Sequence, residues 1–219
     1  MRTLTAALVS LCLVAPGAAQ HGHTAGHEGG GHTQPCCPEG WEARLDRSGM
    51  TMDGFSVAEV AGEVHVMTEG SAGIAYRPDD RVTGDYTVSA TFEQEGVGRH
   101  AEAYGLFFGG SRLQQDDVSY AYFLVRQDGQ YLIKRRSGAG TSDVVGWTSH
   151  EAVHGPEDDV VTNALAVRVA GGAVHFLVNG TEVHRMPASE LPTDGLAGVR
   201  VNHRLMVHVK DFTIERWMR

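Results

Sequence analysis

Short stretches of alternating apolar and polar residues recur along this chain, with turn residues between them. The alternation is plainest in Tyr86–Phe92 (YTVSATF) and Ala164–Val169 (ALAVRV). A period of two marks a strand with one face on a core and the other toward solvent. The pattern predicts strands over 55–60, 64–68, 73–77, 86–92, 104–108, 119–126 and 130–136. It continues over 164–169, 173–178, 181–185, 197–201 and 206–214. No run of helical period exceeds about two turns, and only 187–191 has the make-up of a helical turn. Residues 138–159 read as a long irregular loop that carries Trp147, His150 and His154. About a dozen strands without an interior linker predict one all-β domain. Two packed antiparallel sheets are the natural way to bury them.

Two hairpins stand out. Asp128-Gly129 separates SYAYFLVR from QYLIKRR, and Asp-Gly suits a two-residue type I′ turn. That turn sets Arg126 opposite Tyr131, Leu124 opposite Ile133 and Tyr122 opposite Arg135. Tyr120, Tyr122, Arg126, Tyr131 and Arg135 then share one face, and Ala121, Phe123, Val125 and Leu132 share the other. The first face offers flat aromatic surfaces and guanidinium donors, the two things a sugar needs. Trp147 on the long loop is placed to close over it. The alternative for the same residues is packing under a neighbouring element, with the arginines reaching solvent. A one-residue slip of the hairpin would invert the faces. In the second hairpin Asn179-Gly180 is the turn, and its register sets His175 opposite His184.

The start of the chain is of another kind. Met1-Arg2 is positive, Leu4 to Val14 is apolar, and Pro16-Gly-Ala-Ala19 supplies small residues. This is a secretory signal peptide over 1–19, too short for a permanent membrane span. Cys12 follows Leu11, where a lipoprotein signal requires a small residue, so lipid anchoring is not expected. Residues 20–40 are rich in glycine and histidine and have almost nothing to bury, so they should be disordered. Trp41 opens the folded domain, 41–219. No later run approaches the length of a membrane helix. The mature protein is expected to be secreted or periplasmic.

The 219 residues carry a formal charge of −9 at pH 7. That charge argues against nucleic acid as a partner, because backbone binding needs clustered Lys and Arg. Beyond the signal peptide there are two cysteines, Cys36 and Cys37, which supply no disulfide framework. Stability must come from a buried core. His21, His23, His27 and His32 precede the two cysteines, so four of the twelve histidines cluster here. Imidazole and thiolate suit copper or zinc, although the spacing matches no compact zinc site. Cleavage after Gln20 would make His21 the N-terminus, whose amine and imidazole can chelate copper. His203 and His208 carry no pattern.

The phrases GDYTVSATFEQ, YGLFFGG, YAYFLVRQDGQYLIKRR, NALAVRVAGGAVHFLVNGTEVH, GLAGVRV and VKDFTIE resemble the concanavalin A-like lectin/glucanase superfamily. More narrowly, they resemble laminin-G-like bacterial domains of the 3-keto-disaccharide-hydrolase-like kind. The resemblance covers roughly Phe55 to Glu215. It implies a two-sheet antiparallel jelly-roll sandwich with one concave face, on which relatives bind or cleave carbohydrate. The expected function is therefore a carbohydrate-binding module, with a hydrolase acting on a disaccharide or glycan as the alternative. Jelly-roll glucanases of glycoside hydrolase family 16 carry Glu-x-Asp-x-x-Glu on one strand, and that motif is absent here. The nearest acids are Glu93, Glu95, Asp116, Asp117 and Glu157–Asp159. Calcium is a further expectation for laminin-G-like folds, but Asp79-Asp80 and Asp116-Asp117 lack a calcium-loop motif.

Overall fold

A computed structural model describes residues 36–47 and 51–217. The signal-peptide reading, most of the predicted disordered segment and His21, His23, His27 and His32 lie outside the described residues. The strands are β1 (Glu42–Leu45), β2 (Phe55–Val60), β3 (Glu63–Thr68), β4 (Gly73–Val82), β5 (Tyr86–Glu95), β6 (Ala103–Ser111) and β7 (Ser119–Arg126). They continue as β8 (Gln130–Ser137), β9 (Gly140–Ser149), β10 (Val160–Ala170), β11 (Ala173–Val178), β12 (Thr181–Pro187), β13 (Gly195–Val201) and β14 (Leu205–Arg216). A 3-10 turn, Ala188–Glu190, follows β12. Among the described residues no helix is long and apolar enough to cross a membrane.

The strands form two antiparallel sheets of seven. One has the order β1-β4-β13-β6-β7-β8-β9, the other β12-β11-β10-β5-β14-β3-β2. This is the expected jelly-roll sandwich. Alternation decides what lies between the sheets. Along β5, Tyr86, Val88, Ala90, Phe92 and Gln94 point inward and the residues between them outward. From the facing sheet Phe108 and Phe123 meet Phe176, with ring centroids 6.1 and 5.2 Å apart.

The middle of the first sheet, β6 and β7, is buried on both faces. Every residue of β7 from Tyr120 to Val125 is buried. The outer face of this sheet holds a second apolar cluster, with Phe107, Tyr120, Tyr122, Leu124 and Leu132. Leu113 and Val118, from the β6–β7 connection, pack against it. A strand covered on both sides reads as a continuous apolar run, and YAYFLV is one.

Two register expectations are corrected. The β7–β8 loop has three residues, not two, so Arg126 pairs with Gln130, Val125 with Tyr131 and Tyr120 with Arg136. Gly129 takes a φ of 79°, and its N–H donates to the Arg126 carbonyl at 3.1 Å. This is the three-residue hairpin that ends on a left-handed glycine. Arg126 bonds both Asp128 and Gln130, which ties the loop to that length. In the second hairpin Asn179-Gly180 does form the two-residue turn, with φ of 49° and 81°. A bulge between Phe176 and Leu177 then sets His184 opposite Phe176 and His175 opposite Arg185. The two histidines are not partners, and His175 Nδ1 lies 2.6 Å from Glu182 Oε2 instead.

The expected loop 138–159 is corrected as well, because Gly140–Ser149 forms edge strand β9. Its residues are exposed or half-buried throughout, so no apolar alternation marks it. The connection after β9 is clamped by Asn163, which is fully buried. Its Oδ1 accepts from the His154 N–H at 2.9 Å and from Asn179 Nδ2 at 2.9 Å. Its Nδ2 donates to the Tyr104 hydroxyl and the His154 carbonyl, both at 3.3 Å. Asn163→Leu should therefore cost about 2–3 kcal/mol, because the buried Tyr104 hydroxyl and the partly buried His154 and Asn179 groups lose their partner at once. Urea unfolding of the variant measures this, and a loss below about 0.5 kcal/mol would show that the clamp is redundant.

Candidate ligand-binding site

One end of the sandwich gathers three connections. They are residues 96–102 between β5 and β6, 202–204 between β13 and β14, and 69–72 between β3 and β4. A groove of about 650 Å³ lies there, lined by Arg99, His100, Glu102, Arg126, His203 and Arg204, among others. His203 also borders an adjoining hollow of about 280 Å³ with Asp46, Arg47 and Ser71. The walls are fixed by local bonds. Gln127 Nε2 donates to the Gly98 carbonyl at 2.7 Å, and the Asn202 N–H donates to the Ala103 carbonyl at 2.9 Å. His203 Nε2 sits 2.9 Å from Glu102 Oε1. Arg126 Nε donates to Asp128 Oδ1 at 2.7 Å, and its guanidinium lies 4.2 Å from the centre of the Trp147 ring. That indole is 39% exposed, and it neighbours the groove through Arg126, which covers one of its faces.

Beside the hollow, Asp46 ties the outer face of the first sheet together. Its Oδ1 accepts from Arg136 Nη1 and Arg200 Nη1, each at 2.8 Å. Its Oδ2 accepts from Arg200 Nη2 at 2.6 Å, and its carbonyl from Arg136 Nη2 at 2.6 Å. Both arginines are buried. Arg200 also donates to the Tyr120 hydroxyl at 3.1 Å and stacks 4.5 Å over the Tyr122 ring. Burial alone would raise the Asp46 carboxyl. The bond and charge of Arg200, with the charge of Arg136, outweigh it and hold the group below its ordinary value. Burial raises the hydroxyls of Tyr120 and Tyr122, although the Arg200 charge works the other way.

The predicted face is thus divided. Tyr120 and Tyr122 share a face, but they are buried under the Asp46–Arg200 pair rather than open. Arg126 lines the groove, and Trp147 stacks on it. Tyr131 lies on the opposite face, between the sheets, where its hydroxyl donates to the Val183 carbonyl at 3.1 Å. Arg135 falls on Tyr131's side of β8 and is exposed, so Arg136 takes the place expected for it. Cys36 and Cys37 are joined to each other, a state in which neither sulfur is a thiolate ligand. Asp80 and Asp117 are ion-paired with Arg77 and Arg112.

Asp46, Arg99, Glu102, Arg200, His203 and Arg204 were not singled out by the sequence reading. The loop residues give no local signal. Arg200 does, because an arginine in the apolar strand GLAGVRV demands a partner. Chemically, the groove offers guanidinium donors, an imidazole–carboxylate pair and an indole face. Asp46 between two guanidiniums is fixed as a carboxylate and is no proton donor.

No protein-family model matches the chain, and no curated protein matches it. Its jelly-roll fold is shared with solved structures of low sequence identity. It is similar to the carbohydrate binding module CBM66 from Bacillus subtilis, with a TM-score of 0.59 at 12% identity over 81% of this chain and 96% of that one. It is similar to the exoplasmic/lumenal domain of VIP36 in its Ca²⁺/Man3GlcNAc-bound form, with a TM-score of 0.59 at 11% identity over 82% and 84%. A Bacillus subtilis protein of unknown function with a galectin-like fold gives 0.53 at 12% identity over 82% and 90%.

Proposed function

We propose that the chain is an extracytoplasmic, non-catalytic module that binds a saccharide in the groove between Arg126 and Arg204. The observation that carries this reading is the groove itself. Arg99, Arg126 and Arg204 converge in it beside an exposed indole, on a protein whose overall charge is negative. Planar guanidinium donors suit sugar hydroxyls, and they suit a sugar carboxylate better still. An indole face suits the C–H surface of a pyranose. The ligand is therefore a glycan that carries uronic acid. The carbohydrate-bound and carbohydrate-binding neighbours support the reading by analogy of fold.

Binding of neutral and uronic-acid oligosaccharides, measured by array and then calorimetry, tests it. Arg126→Ala and Trp147→Ala should each weaken binding by about tenfold, roughly 1.4 kcal/mol. The unfolding curve of Trp147→Ala should stay close to the parent, because that side chain is exposed, whereas Arg126→Ala should also lose some stability with its bonds to Asp128 and Gln130. Binding to no glycan would refute the proposal, and so would binding that survives the double variant unchanged.

A second reading has one observation in its favour. Glu102 and His203 form an acid–imidazole pair inside the same groove. A hydrolase would use that pair on a bound disaccharide. Release of reducing sugar from a bound oligosaccharide, abolished in Glu102→Gln, would support it over simple binding.

A further inference from the structure

The other sheet carries a separate cluster on its outer face, where β3, β14 and β5 lie side by side. His65 on β3 is directly opposite His208 on β14, and His208 is directly opposite Glu93 on β5. One rung of the sheet therefore presents two imidazoles and a carboxylate in a row. The two rings stack at 4.0 Å with 17° between their planes. Glu63 and Glu95 stand two residues along on the flanking strands, on the same face. His65 Nε2 is 3.9 Å from Glu63 Oε2, and His208 Nε2 is 3.5 Å from Glu95 Oε1. His208 Nδ1 is 3.9 Å from Glu93 Oε1. Glu63, His65 and His208 each bring a donor atom within 4.8 Å of the others, and Glu93, Glu95 and His208 do the same.

We propose that His65 and His208, with Glu63 as third donor, bind a divalent ion of the zinc or copper class on this face. The charge balance favours a cation. Three carboxylates crowd the cluster against a single ammonium, Lys210, which lies 3.0 Å from Glu93 and 4.0 Å from Glu63. Lys210 thus occupies Glu93 and leaves Glu63 the freer donor. With neutral imidazoles, two negative charges are uncompensated, which a divalent ion would offset. The donor set selects the metal. Calcium and magnesium take mostly oxygen ligands, whereas two imidazoles with one carboxylate suit zinc and copper. Two histidines and a glutamate leave a fourth position for water or a further group.

The geometry requires small movements only. Cross-strand neighbours in an antiparallel pair hold their Cβ atoms roughly 5 Å apart, within span of one ion. Stacked rings hold their in-plane lone pairs side by side, and rotating one ring about its Cβ–Cγ bond tilts its lone pair toward the other. The side chains of His65, His208 and Glu63 are 31%, 16% and 40% exposed, so they have room to turn and an ion has access. The strands are interior to their sheet, which keeps the backbone fixed. Two pairings further on, on the same face, Met67 is opposite Met206, and both are exposed. Copper would find soft thioethers there that zinc would not use.

The test uses the full chain, stripped of metal, and titration with Zn²⁺ and Cu²⁺ followed by calorimetry. Replacing His21, His23, His27 and His32 by Ala removes the other histidine cluster as a source of binding. That tail variant should still bind one equivalent, with Cu²⁺ tighter than Zn²⁺. Adding His65→Gln and His208→Gln to it should weaken the binding on the order of 100-fold, because two of three donors are gone. Its metal-free melting curve should match the tail variant, since both side chains face out. As a check that needs no sheet variant, Cu²⁺ bound to the tail variant should give an electron paramagnetic resonance spectrum of nitrogen coordination. No binding by the tail variant would overturn the proposal. So would binding that His65→Gln/His208→Gln leaves intact, or a copper spectrum without nitrogen.

Discussion

Asp46→Asn is expected to lower stability by about 3–5 kcal/mol and the melting temperature by roughly 10 °C. The residue lies just past β1, and its own side chain is about a quarter exposed at 26%. Its partners are not. The side chains of Arg136 and Arg200 are each 5% exposed, and both are ion-paired with this one carboxylate. Removing it leaves two guanidinium charges buried without a counter-charge, and that uncompensated burial carries most of the loss. The replacement of all three residues by apolar ones, Asp46→Leu with Arg136→Met and Arg200→Met, should recover a large part of it. Denaturant unfolding of the single and triple variants decides the point. A single variant within about 1 kcal/mol of the parent would show that solvent already screens the network.

The same carboxylate gives the stability a pH dependence. The folded-state value of Asp46 lies below its ordinary 3.8. A depressed acid contributes stability that is fully present above the unfolded value and lost as pH falls through the folded one. From neutral pH down to about 4 this group should leave stability unchanged. Below that, the parent should lose stability more steeply than Asp46→Asn, so the two curves converge. Unfolding curves between pH 2 and pH 7, taken in pairs, show whether they do.

The parts of the fold that local chemistry decides were legible. The alternation in β5 and β10 and the Asn179-Gly180 turn each state their geometry within a few residues. The β7–β8 register was not legible, because Asp-Gly fits two loop lengths. The choice falls to Arg126 reaching Asp128 and Gln130. Edge strand β9 escaped because it buries no face. The site was less legible still. YAYFLV lacks any polar position, which already argues that Tyr120 and Tyr122 are covered on both sides. Part of what covers them, Asp46 just past β1 and Arg200 on β13, comes from far away in sequence. His65, His208 and Glu93 show the same difficulty in its sharpest form, for each is unremarkable in its own strand. Only the β3–β14–β5 pairing puts them on one rung.

Gly109→Ala is expected to cost about 4 kcal/mol or more, while Gly110→Ala, its neighbour, should cost far less. The pair sits at the end of YGLFFGG, where β6 bulges against β7 between Phe108 and Ser111. Gly109 has a φ of 64°, which an L side chain rarely adopts. A Cβ there would stand 2.0 Å from the Pro192 carbonyl oxygen and 2.5 Å from its carbon. Both are backbone atoms in the segment that leads into β13. That segment is itself anchored, because the buried Tyr86 donates its hydroxyl to the Thr193 carbonyl at 2.7 Å. The clash cannot be relieved by turning a side chain, so either the bulge or the Tyr86 anchor must give way. At Gly110 the nearest atoms to a Cβ stand at 3.0 Å or beyond, and two of the three belong to the side chains of Phe107 and Leu113. Those can shift by a few tenths of an ångström. Equal losses in the two variants would mean that the approach of the 191–195 segment is not what requires glycine. A large loss at Gly109 alone would tie the bulge in β6 to the path of the chain into β13, the strand that carries Arg200 to Asp46.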